Sequence, residues 1–347
     1  MRVDLFDYDL PADRIAQAPH ARGTSRLLTL DRASGAVEDR RFSEFPDLLR
    51  PGDLLVRNDV RVRNTRLYGR DEKDRVVEIF LLSPLDAERR TWQALAKPGR
   101  RARSGGTVRF PPEDVSATVR EVDDEARRVV VFDRPVDEDL LARIGHVPLP
   151  PYVRREAGAA DRTADREGYQ TVYAREPLAV AAPTAGLHFT AETFDRLAAR
   201  GVEVVDLTLA VGAGTFKPVR ALETTRHRLD AEEVLLPAAT IRRLRQQLAA
   251  GGRVVAVGTT VTRALEAWIR LPDSGEENLR FSTDLFITPG FEFRAVGALL
   301  TNFHLPRSTL LMLVCAFAGR ENVLAAYAEA IRRGYLFYSF GDAMWIA

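Results

Sequence analysis

The chain of 347 residues has only one cysteine and no long apolar run. A single cysteine, Cys315, excludes an internal disulfide framework and a zinc site built from cysteines. Because it lies within LLMLVCAFA, we expect a buried, inert thiol rather than a nucleophile. That run is too short to cross a membrane, and the opening MRVDLFDYD lacks the basic segment of a signal peptide. We therefore expect a cytoplasmic protein without a membrane partner.

An excess of charge of one sign is also absent. The 50 Lys and Arg residues nearly balance the 49 Asp and Glu residues, for a formal net charge of +1. Net charge therefore neither supports nor excludes a nucleic-acid partner, and the local distribution matters more. One stretch collects basic residues with no acid between them: Lys97, Arg100, Arg101, Arg103 and Arg109. Such a stretch can follow a phosphate backbone, and a solvated strand face is the alternative.

Two kinds of pattern divide the chain. Between Arg75 and Phe132, short β-rich segments alternate with Pro, Gly and acidic turns, which predicts a small antiparallel domain. From Thr190 onward, helical and strand patterns alternate, which predicts βαβ units. We therefore expect an α/β main domain with a mostly parallel sheet, formed by residues 1–66 and 151–347. A smaller, inserted antiparallel β-barrel-like domain is expected over residues 67–150.

Several elements of the main domain can be predicted individually. Thr190 is expected to cap a helix that stops at Gly201, and a second helix is expected to begin at Thr240. A third should follow the strand RVVAV and the turn GTT. A buried helix is expected from about Ser308, and the closing YLFYSFGDAMWI is expected to run from a strand into a turn.

Five short strings place glycine or small residues beside Thr, His, Asn or Asp. They are APTAGLHFT from Ala182, VGAGTF from Val211, AVGTT from Ala256, TNFHLP from Thr301 and SFGDAM from Ser339. Glycine lets a backbone approach a ligand closely, and the other residues supply short polar groups. Any one string is explained by a tight turn that caps the next element, but these strings recur through the second half of the chain. The helix start after VGTT suits a carboxylate or phosphate, and a cap by its threonines is the alternative.

These strings, in this order, resemble those of the S-adenosylmethionine:tRNA ribosyltransferase-isomerases of queuosine biosynthesis. The similarity extends to SRLLTLD from Ser25, PGDLLVRND from Pro51, KPGRR from Lys97 and YQTVYA from Tyr169. It implies transfer of the ribosyl group of S-adenosylmethionine to the aminomethyl group of a 7-deazaguanine base in tRNA. The ribosyl group isomerises to give epoxyqueuosine, and adenine and methionine are released. S-adenosylmethionine would be a co-substrate, and this chemistry requires no metal.

The implied chemistry needs a base that removes a proton from the ribose carbon next to sulfur. His188 is the expected base, because imidazole titrates near neutrality and Gly186 leaves space beside it; a histidine that orients a turn is the alternative. His304 and Asp342 are further catalytic candidates. The Asp342 carboxylate would attract a sulfonium, and a turn-stabilising role is its alternative. Arg263 is expected to bind the methionine carboxylate, with a surface ion pair as its alternative.

Other residues of the matching strings are expected to contact the substrates. The predicted substrate-binding set is Thr184, Gly186, Gly212, Gly214, Thr215, Thr259, Thr260, Arg263, Asn302, Asn58, Arg61 and Tyr169. The predicted contacts to tRNA phosphates are Lys97, Arg100, Arg101 and Arg103. The expected partners are therefore S-adenosylmethionine and tRNA. The protein itself is expected to be a monomer, with a dimer as the alternative.

Some polar positions of the family pattern are changed, whereas its Gly and apolar positions are kept. The changed positions are Val60, Ala210, Asp230, Val261 and Gly297. This pattern predicts a retained fold and donor pocket, and it leaves two alternatives to the family reaction open. One is an enzyme that transfers the ribosyl group to a small molecule, or cleaves S-adenosylmethionine, without tRNA. The other is a catalytically silent binding protein, against which the presence of His188, Asn302, His304 and Asp342 argues.

Overall fold

The computed structural model describes residues 1–156, 161–212, 219, 221–272, 275 and 277–347. The chain divides into two compact units. The larger unit combines Met1–Arg61 with Gly168–Ala347, and the smaller unit is Val62–Glu167. The smaller unit is thus inserted in the sequence of the larger one.

The divisions fall after Arg61 and Glu167 rather than after residues 66 and 150. Hydrogen bonds explain why the segment after residue 150 groups with the insertion. The Asp161 carboxylate accepts from Val147 N at 3.0 Å and lies 3.0 Å from His146 Nδ1.

The first part of the larger unit is short. Its elements are β1 (Arg26–Leu30), β2 (Val37–Arg41), α1 (Phe45–Leu48), β3 (Leu54–Asn58) and β4 (Val60–Val62), which ends at the unit boundary. In β3, every residue except Arg57 is fully buried, as expected of a strand covered on both faces.

The inserted unit is mainly antiparallel. Its elements are β5 (Arg66–Arg70), β6 (Val76–Pro84), β7 (Thr91–Lys97), β8 (Thr107–Arg109), β9 (Ser116–Val122), β10 (Arg128–Phe132), α2 (Glu138–Ile144), β11 (Gly145–His146) and α3 (Thr163–Gly168).

Six strands of this unit, all except the two-residue β11, close into a barrel. Their order is β5-β6-β7-β10-β9-β8, and β8 pairs back onto β5 through Arg70 and Arg109. In β6, Val77, Ile79 and Leu81 alternate inward and are fully buried, which is the period of two that a strand requires. The antiparallel barrel expected from the sequence is therefore confirmed.

The second part of the larger unit contains most of its helices. Its elements are β12 (Glu176–Ala179), α4 (Ala191–Ala199), β13 (Glu203–Leu209), β14 (Glu232–Leu236), α5 (Ala238–Ala249), β15 (Val254–Val257), α6 (Thr259–Trp268), β16 (Leu279–Thr283), β17 (Ala298–Asn302), α7 (Thr309–Ala318), α8 (Arg320–Arg332) and β18 (Ala343–Ile346).

The main sheet has nine strands in the order β16-β14-β13-β3-β15-β17-β18-β1-β2. The pairs β13–β3, β3–β15, β15–β17 and β18–β1 are parallel, and the other four neighbouring pairs are antiparallel. The sheet is therefore mixed, which corrects the expectation of a mostly parallel sheet. Alternating helix and strand patterns identified the parallel centre, but they contain no information on the direction of strands added beside it.

Of two helices whose starts were predicted from capping residues, α4 begins as predicted and α5 begins two residues earlier. Thr190 Oγ1 accepts from Thr193 N at 3.1 Å and caps α4, as predicted. Helix α5 begins at Ala238, two positions before the predicted Thr240, whose hydroxyl instead donates to Asp206 O at 2.7 Å. The order expected for the closing segment is wrong, because the turn comes first and strand β18 follows it.

Helix α7 is almost entirely apolar, and α8 follows it directly. Ser308 Oγ caps α7, and Cys315 is buried within it, as expected. In the described part of the chain, no single helix is long and apolar enough to span a membrane. Taken together, α7 and α8 have the length and composition of a membrane span, but the two helices bend by 114° at their junction.

Candidate active site

One edge of the main sheet collects most of the predicted strings. The parallel strands β3, β15 and β17 end there, at Asn58, Val257 and Asn302. Strand β18 runs antiparallel to β17 and parallel to β1, so Asp342 and Ser25 precede strands that begin at the same edge. Ligands of open α/β sheets bind outside the carboxyl ends of the parallel strands, which makes this edge the candidate site.

His188 is the last residue of a 3₁₀ helix, Thr184–His188, that packs against this edge. Its Nδ1 atom lies 2.8 Å from Ser25 Oγ, and its carbonyl oxygen accepts from Gly23 N at 2.9 Å. The ring packs on Phe42, with 5.3 Å between ring centroids. These contacts fix the ring orientation. The other ring nitrogen, Nε2, is buried and has no hydrogen-bond partner among the described residues.

Asn302 lies close to this imidazole. Its Nδ2 donates to Tyr338 O at 3.0 Å, whereas its Oδ1 is buried and has no hydrogen bond within the described residues. Burial lowers the pKa of His188 to about 4, and the Asn302 side chain acts in the opposite direction. The imidazole is therefore neutral at pH 7. This corrects the expectation that His188 titrates near neutrality in the free protein.

The start of α6 lies beside the same 3₁₀ helix. Gly258 has a φ of +94°, which glycine adopts without strain, and this conformation turns the chain from β15 directly into α6. A Cβ at Gly258 would lie 3.6 Å from Ala185 Cβ, so the two turns are in contact. Thr259 and Thr260 are buried, and no side chain of the described residues caps α6. The alternative of a threonine cap is therefore wrong.

Arg263 is buried rather than exposed. It forms an ion pair with Glu232, whose Oε1 accepts from Gly212 N at 3.1 Å. Burial lowers the pKa of Arg263 to about 10. The surface ion pair weighed for Arg263 is therefore a buried one, which links α6 to the VGAGTF string. The predicted residues Gly214 and Thr215 lie outside the described residues.

His304 has one ring nitrogen and its backbone amide engaged by the protein, and Asp342 has both carboxylate oxygens engaged. His304 Nε2 lies 2.8 Å from Thr301 Oγ1, its amide donates to Tyr327 Oη at 3.1 Å, and burial lowers its pKa to about 3. Asp342 accepts from the amides of Arg26 and Leu336, both at 2.8 Å, and burial raises its pKa. These contacts favour the turn-stabilising alternative for Asp342, and a catalytic role for either residue stays a prediction.

The predicted substrate contacts Asn58, Arg61 and Tyr169 lie in three different surroundings. Asn58 accepts from Leu209 N and donates to Leu209 O, both at 3.0 Å, so its amide joins β3 to β13. Arg61 is exposed. Tyr169 is buried, and its ring packs edge-on against Phe340 with centroids 5.8 Å apart.

The basic stretch lies in the inserted unit, at the end of β7 and in the turn before β8. Lys97, Arg100 and Arg103 are exposed. Arg101 is half-buried, and its guanidinium donates to Val76 O at 2.8 Å. Within the described ranges, no acidic side chain forms an ion pair with any of the four. The exposed Lys97, Arg100 and Arg103 are therefore available to an anionic partner, whereas Arg101 is partly engaged by Val76.

Sequence reasoning missed Ser25, Thr171 and Tyr173. Ser25 opens the SRLLTLD string, and the other two lie in YQTVYA, but neither string shows which residues approach Gly186 and His188. A Cβ at Gly186 would lie 2.1 Å from Tyr173 Oη, so Gly186 leaves space for the tyrosine rather than for a ligand beside His188.

Three of the changed family positions lie in buried or cavity-lining surroundings. Val60 and Val261 are fully buried, and Ala210 lines a cavity of about 320 Å³ with Thr208 and Phe281. Among the described residues, no group of three or more His, Cys, Asp or Glu side chains could hold a metal ion.

A family model described as queuosine biosynthesis protein matches residues 3–346. The chain belongs to this family. Its resemblance to the ribosyltransferase-isomerases is thereby confirmed. It is 50% identical to an S-adenosylmethionine:tRNA ribosyltransferase-isomerase of Thermosynechococcus vestitus, over 99% of this chain and 95% of that protein. It is 48% identical to the protein of the same name from Symbiobacterium thermophilum, over the whole of both chains.

A solved structure gives the same assignment to the queuosine biosynthesis protein family. It is the 2.00 Å crystal structure of an S-adenosylmethionine tRNA ribosyltransferase from Thermotoga maritima. The two chains share 38% identity with a TM-score of 0.55, and the similarity covers 99% of this chain and 100% of that chain.

Proposed function

We propose that this chain is an S-adenosylmethionine:tRNA ribosyltransferase-isomerase. It transfers and isomerises the ribosyl group of S-adenosylmethionine onto the aminomethyl group of 7-aminomethyl-7-deazaguanine in tRNA. The products are epoxyqueuosine in tRNA, adenine and methionine. Family membership and full-length relatives of this name support the proposal. In the structure, the observation that carries it is the neutral, oriented His188 imidazole with its unbonded Nε2 at the ligand-binding edge of the sheet.

His188 has the properties of the base that this reaction needs. If Nδ1–H donates to Ser25 Oγ, Nε2 carries the lone pair and can accept a proton from the ribose carbon next to the sulfonium. The lowered pKa keeps that lone pair available at pH 7. Asn302, with its free Oδ1, lies where it can hydrogen-bond to the bound donor or to the protonated imidazole.

The methionine part of the donor fits the start of α6. The amides of the first turn of a helix have no partner within the helix, and the positive end of the helix dipole favours a carboxylate. Thr259 and Thr260 provide these amides in a buried position. Arg263 adds positive charge there, although Glu232 already balances part of it.

Lys97, Arg100, Arg101 and Arg103 are proposed to bind tRNA phosphates. The affinity for tRNA should then decrease by about 0.7 to 0.9 log units per log unit of salt for each contact. Replacing the three arginines by Ala should flatten this slope and leave S-adenosylmethionine binding unchanged. An unchanged slope would remove the basic stretch from the tRNA interface.

The reaction itself is tested by incubation with S-adenosylmethionine, with and without tRNA that carries the aminomethyl deazaguanine. Mass spectrometry of the small molecules and of the RNA digest should show adenine, methionine and the epoxyqueuosine nucleoside, only when this tRNA is present. Release of adenine and methionine without tRNA would instead support the donor-cleaving alternative.

A further inference from the structure

Two side chains that pack against Gly186 each have a buried hydroxyl without a hydrogen-bond partner in the described chain. The two hydroxyls are Tyr173 Oη and Thr171 Oγ1. Their side chains are only 8% and 4% exposed. Folded proteins seldom leave a buried hydroxyl unpaired, because its lost hydration is not replaced. Two such residues packed against the same glycine therefore indicate a ligand that pairs with their hydroxyls.

The position of Tyr173 is fixed by its neighbours. The Arg57 guanidinium lies 4.2 Å from the centre of the tyrosine ring, and Asp206 holds Arg57 through an ion pair at 2.6 Å. Phe189 and Phe194 pack edge-on against the same ring, at 6.4 and 5.6 Å between centroids. These contacts hold the ring, and with it the position of the hydroxyl oxygen. Burial raises the pKa of Tyr173, so the group is a neutral hydroxyl at pH 7.

Gly186 connects these hydroxyls to the proposed active site. A Cβ at this position would lie 2.1 Å from Tyr173 Oη and 2.8 Å from Thr171 Cγ2. The backbone of the 3₁₀ helix therefore touches both side chains, and His188 lies two residues further along the same helix. Ala185 of this helix contacts Gly258 at the start of α6. Both hydroxyls thus belong to the surroundings of His188 and α6.

We propose that Tyr173 and Thr171 bind the nucleoside part of S-adenosylmethionine through hydrogen bonds to its neutral polar groups. Two uncharged hydroxyls can each donate and accept, which suits ribose hydroxyls or the edge of adenine. The carboxylate and ammonium groups of the methionine part are charged and are better served by α6. This subsite rests on the proposed function, because it takes S-adenosylmethionine as the ligand.

The test uses Tyr173→Phe and Thr171→Val, each of which removes a hydroxyl and keeps the shape of the side chain. Calorimetric titration with S-adenosylmethionine and with 5′-methylthioadenosine should show affinities lowered about 2- to 10-fold in each variant. The affinity for methionine should be unchanged. Titration with adenine alone shows which part of the nucleoside the hydroxyls contact. Weakened adenine binding in the variants indicates the edge of the base, and unchanged adenine binding indicates the ribose.

The melting temperature of the ligand-free protein supplies a second readout. Both variants should melt at the wild-type temperature or above it, because an unpaired buried hydroxyl is unfavourable in the free protein. Tyr335→Phe is the matched control, since the buried Tyr335 hydroxyl donates to Asp39. This variant should melt at a lower temperature and bind both nucleosides as the wild type does.

Two results would overturn the subsite and leave the proposed function standing. One is wild-type affinity of both variants for S-adenosylmethionine and 5′-methylthioadenosine. The other is a lower melting temperature of the ligand-free variants, which would show that the fold itself uses the hydroxyls. By contrast, a wild-type protein that binds neither compound would contradict the proposed function.

Discussion

Two buried histidines lie at the same edge of the main sheet, and their surroundings differ in one respect. His304 has its Nε2 beside Thr301 and its backbone amide and carbonyl bonded to Tyr327 and Tyr8. His188 has its Nδ1 beside Ser25, and its Nε2 is buried without a well-formed hydrogen bond in the described chain, although the nearby Asn302 side chain acts to raise the pKa of the ring. Both are neutral at pH 7 because burial lowers both pKa values. Burial and a shifted pKa therefore do not distinguish the two rings. In each ring one nitrogen lies 2.8 Å from a hydroxyl, but only His188 has its other nitrogen both buried and without a hydrogen bond in the described chain, which favours His188 as the proposed base.

We expect the largest difference between the two histidines when each is replaced by asparagine. His188→Asn should lower kcat by about 10²- to 10⁴-fold, because a positioned base contributes that much to the rate. Its melting temperature and its Kd for S-adenosylmethionine should change little. His304→Asn should instead lower the free energy of unfolding by about 1–3 kcal/mol, because the buried hydrogen bond between the ring and Thr301 is lost. Its kcat per folded molecule should stay within a few-fold of wild type.

Steady-state kinetics and thermal melts of both variants provide the measurement. A kcat of His188→Asn within a few-fold of wild type would remove His188 from the base role. A His304→Asn variant that is stable but inactive would reverse the comparison.

The residues that hold the two rings give the next largest effect. Ser25→Ala leaves Nδ1 of His188 without its partner, so the ring loses its fixed orientation and tautomer. We expect kcat to decrease about 10-fold, in the range that loss of a group supporting a functional histidine costs. Thr301→Val removes the corresponding partner of His304 and should leave kcat unchanged. Ser25→Thr keeps a hydroxyl and should restore part of the activity; equal kcat values for Ser25→Ala and wild type would show that Ser25 does not position the base.

The smallest effect concerns stability against pH, where the two histidines should behave alike. The pKa of His188 is lowered from 6.5 to about 4, and that of His304 from 6.5 to about 3. Below pH 6.5 the unfolded chain binds protons that the folded chain does not bind. The free energy of unfolding should therefore fall as the pH decreases from 6.5 towards 4, and neither group should contribute to the pH dependence well above 6.5.

Melting temperatures between pH 7 and pH 4.5 check this dependence. His188→Asn and His304→Asn should each make the melting temperature less dependent on pH, because each removes one of the two groups that bind a proton only on unfolding. If either variant kept the full wild-type slope, its histidine would not be the buried neutral group that the structure shows.

How much of this molecule was predictable from sequence depends on the range of the interaction. The short strands between Arg75 and Phe132 and the Thr190 cap of α4 come from local patterns, and both were predicted correctly. The antiparallel pairing of β18 with β17 comes from tertiary packing, so no local pattern specified it.

The same limit applies to the site. Histidine, asparagine and the glycine turns were identified because they occur in short strings. The contact of Ser25 with His188 joins residues 163 positions apart, and Tyr173 meets Gly186 only through the fold. Similarly, the sequence could not show that the His304 backbone bonds to two tyrosines, or that His188 has a buried ring nitrogen without a hydrogen bond in the described chain.

The most direct test of the account is the nitrogen NMR spectrum of the histidine rings with and without S-adenosylmethionine. The chain has only 5 histidines, so His188→Asn and His304→Asn spectra assign both signals. The account predicts that both rings are neutral at pH 6 in the free protein, and that S-adenosylmethionine shifts the Nε2 signal of His188 and leaves His304 unchanged. A shift confined to His304, or a His188 ring that titrates near pH 6.5, would contradict it.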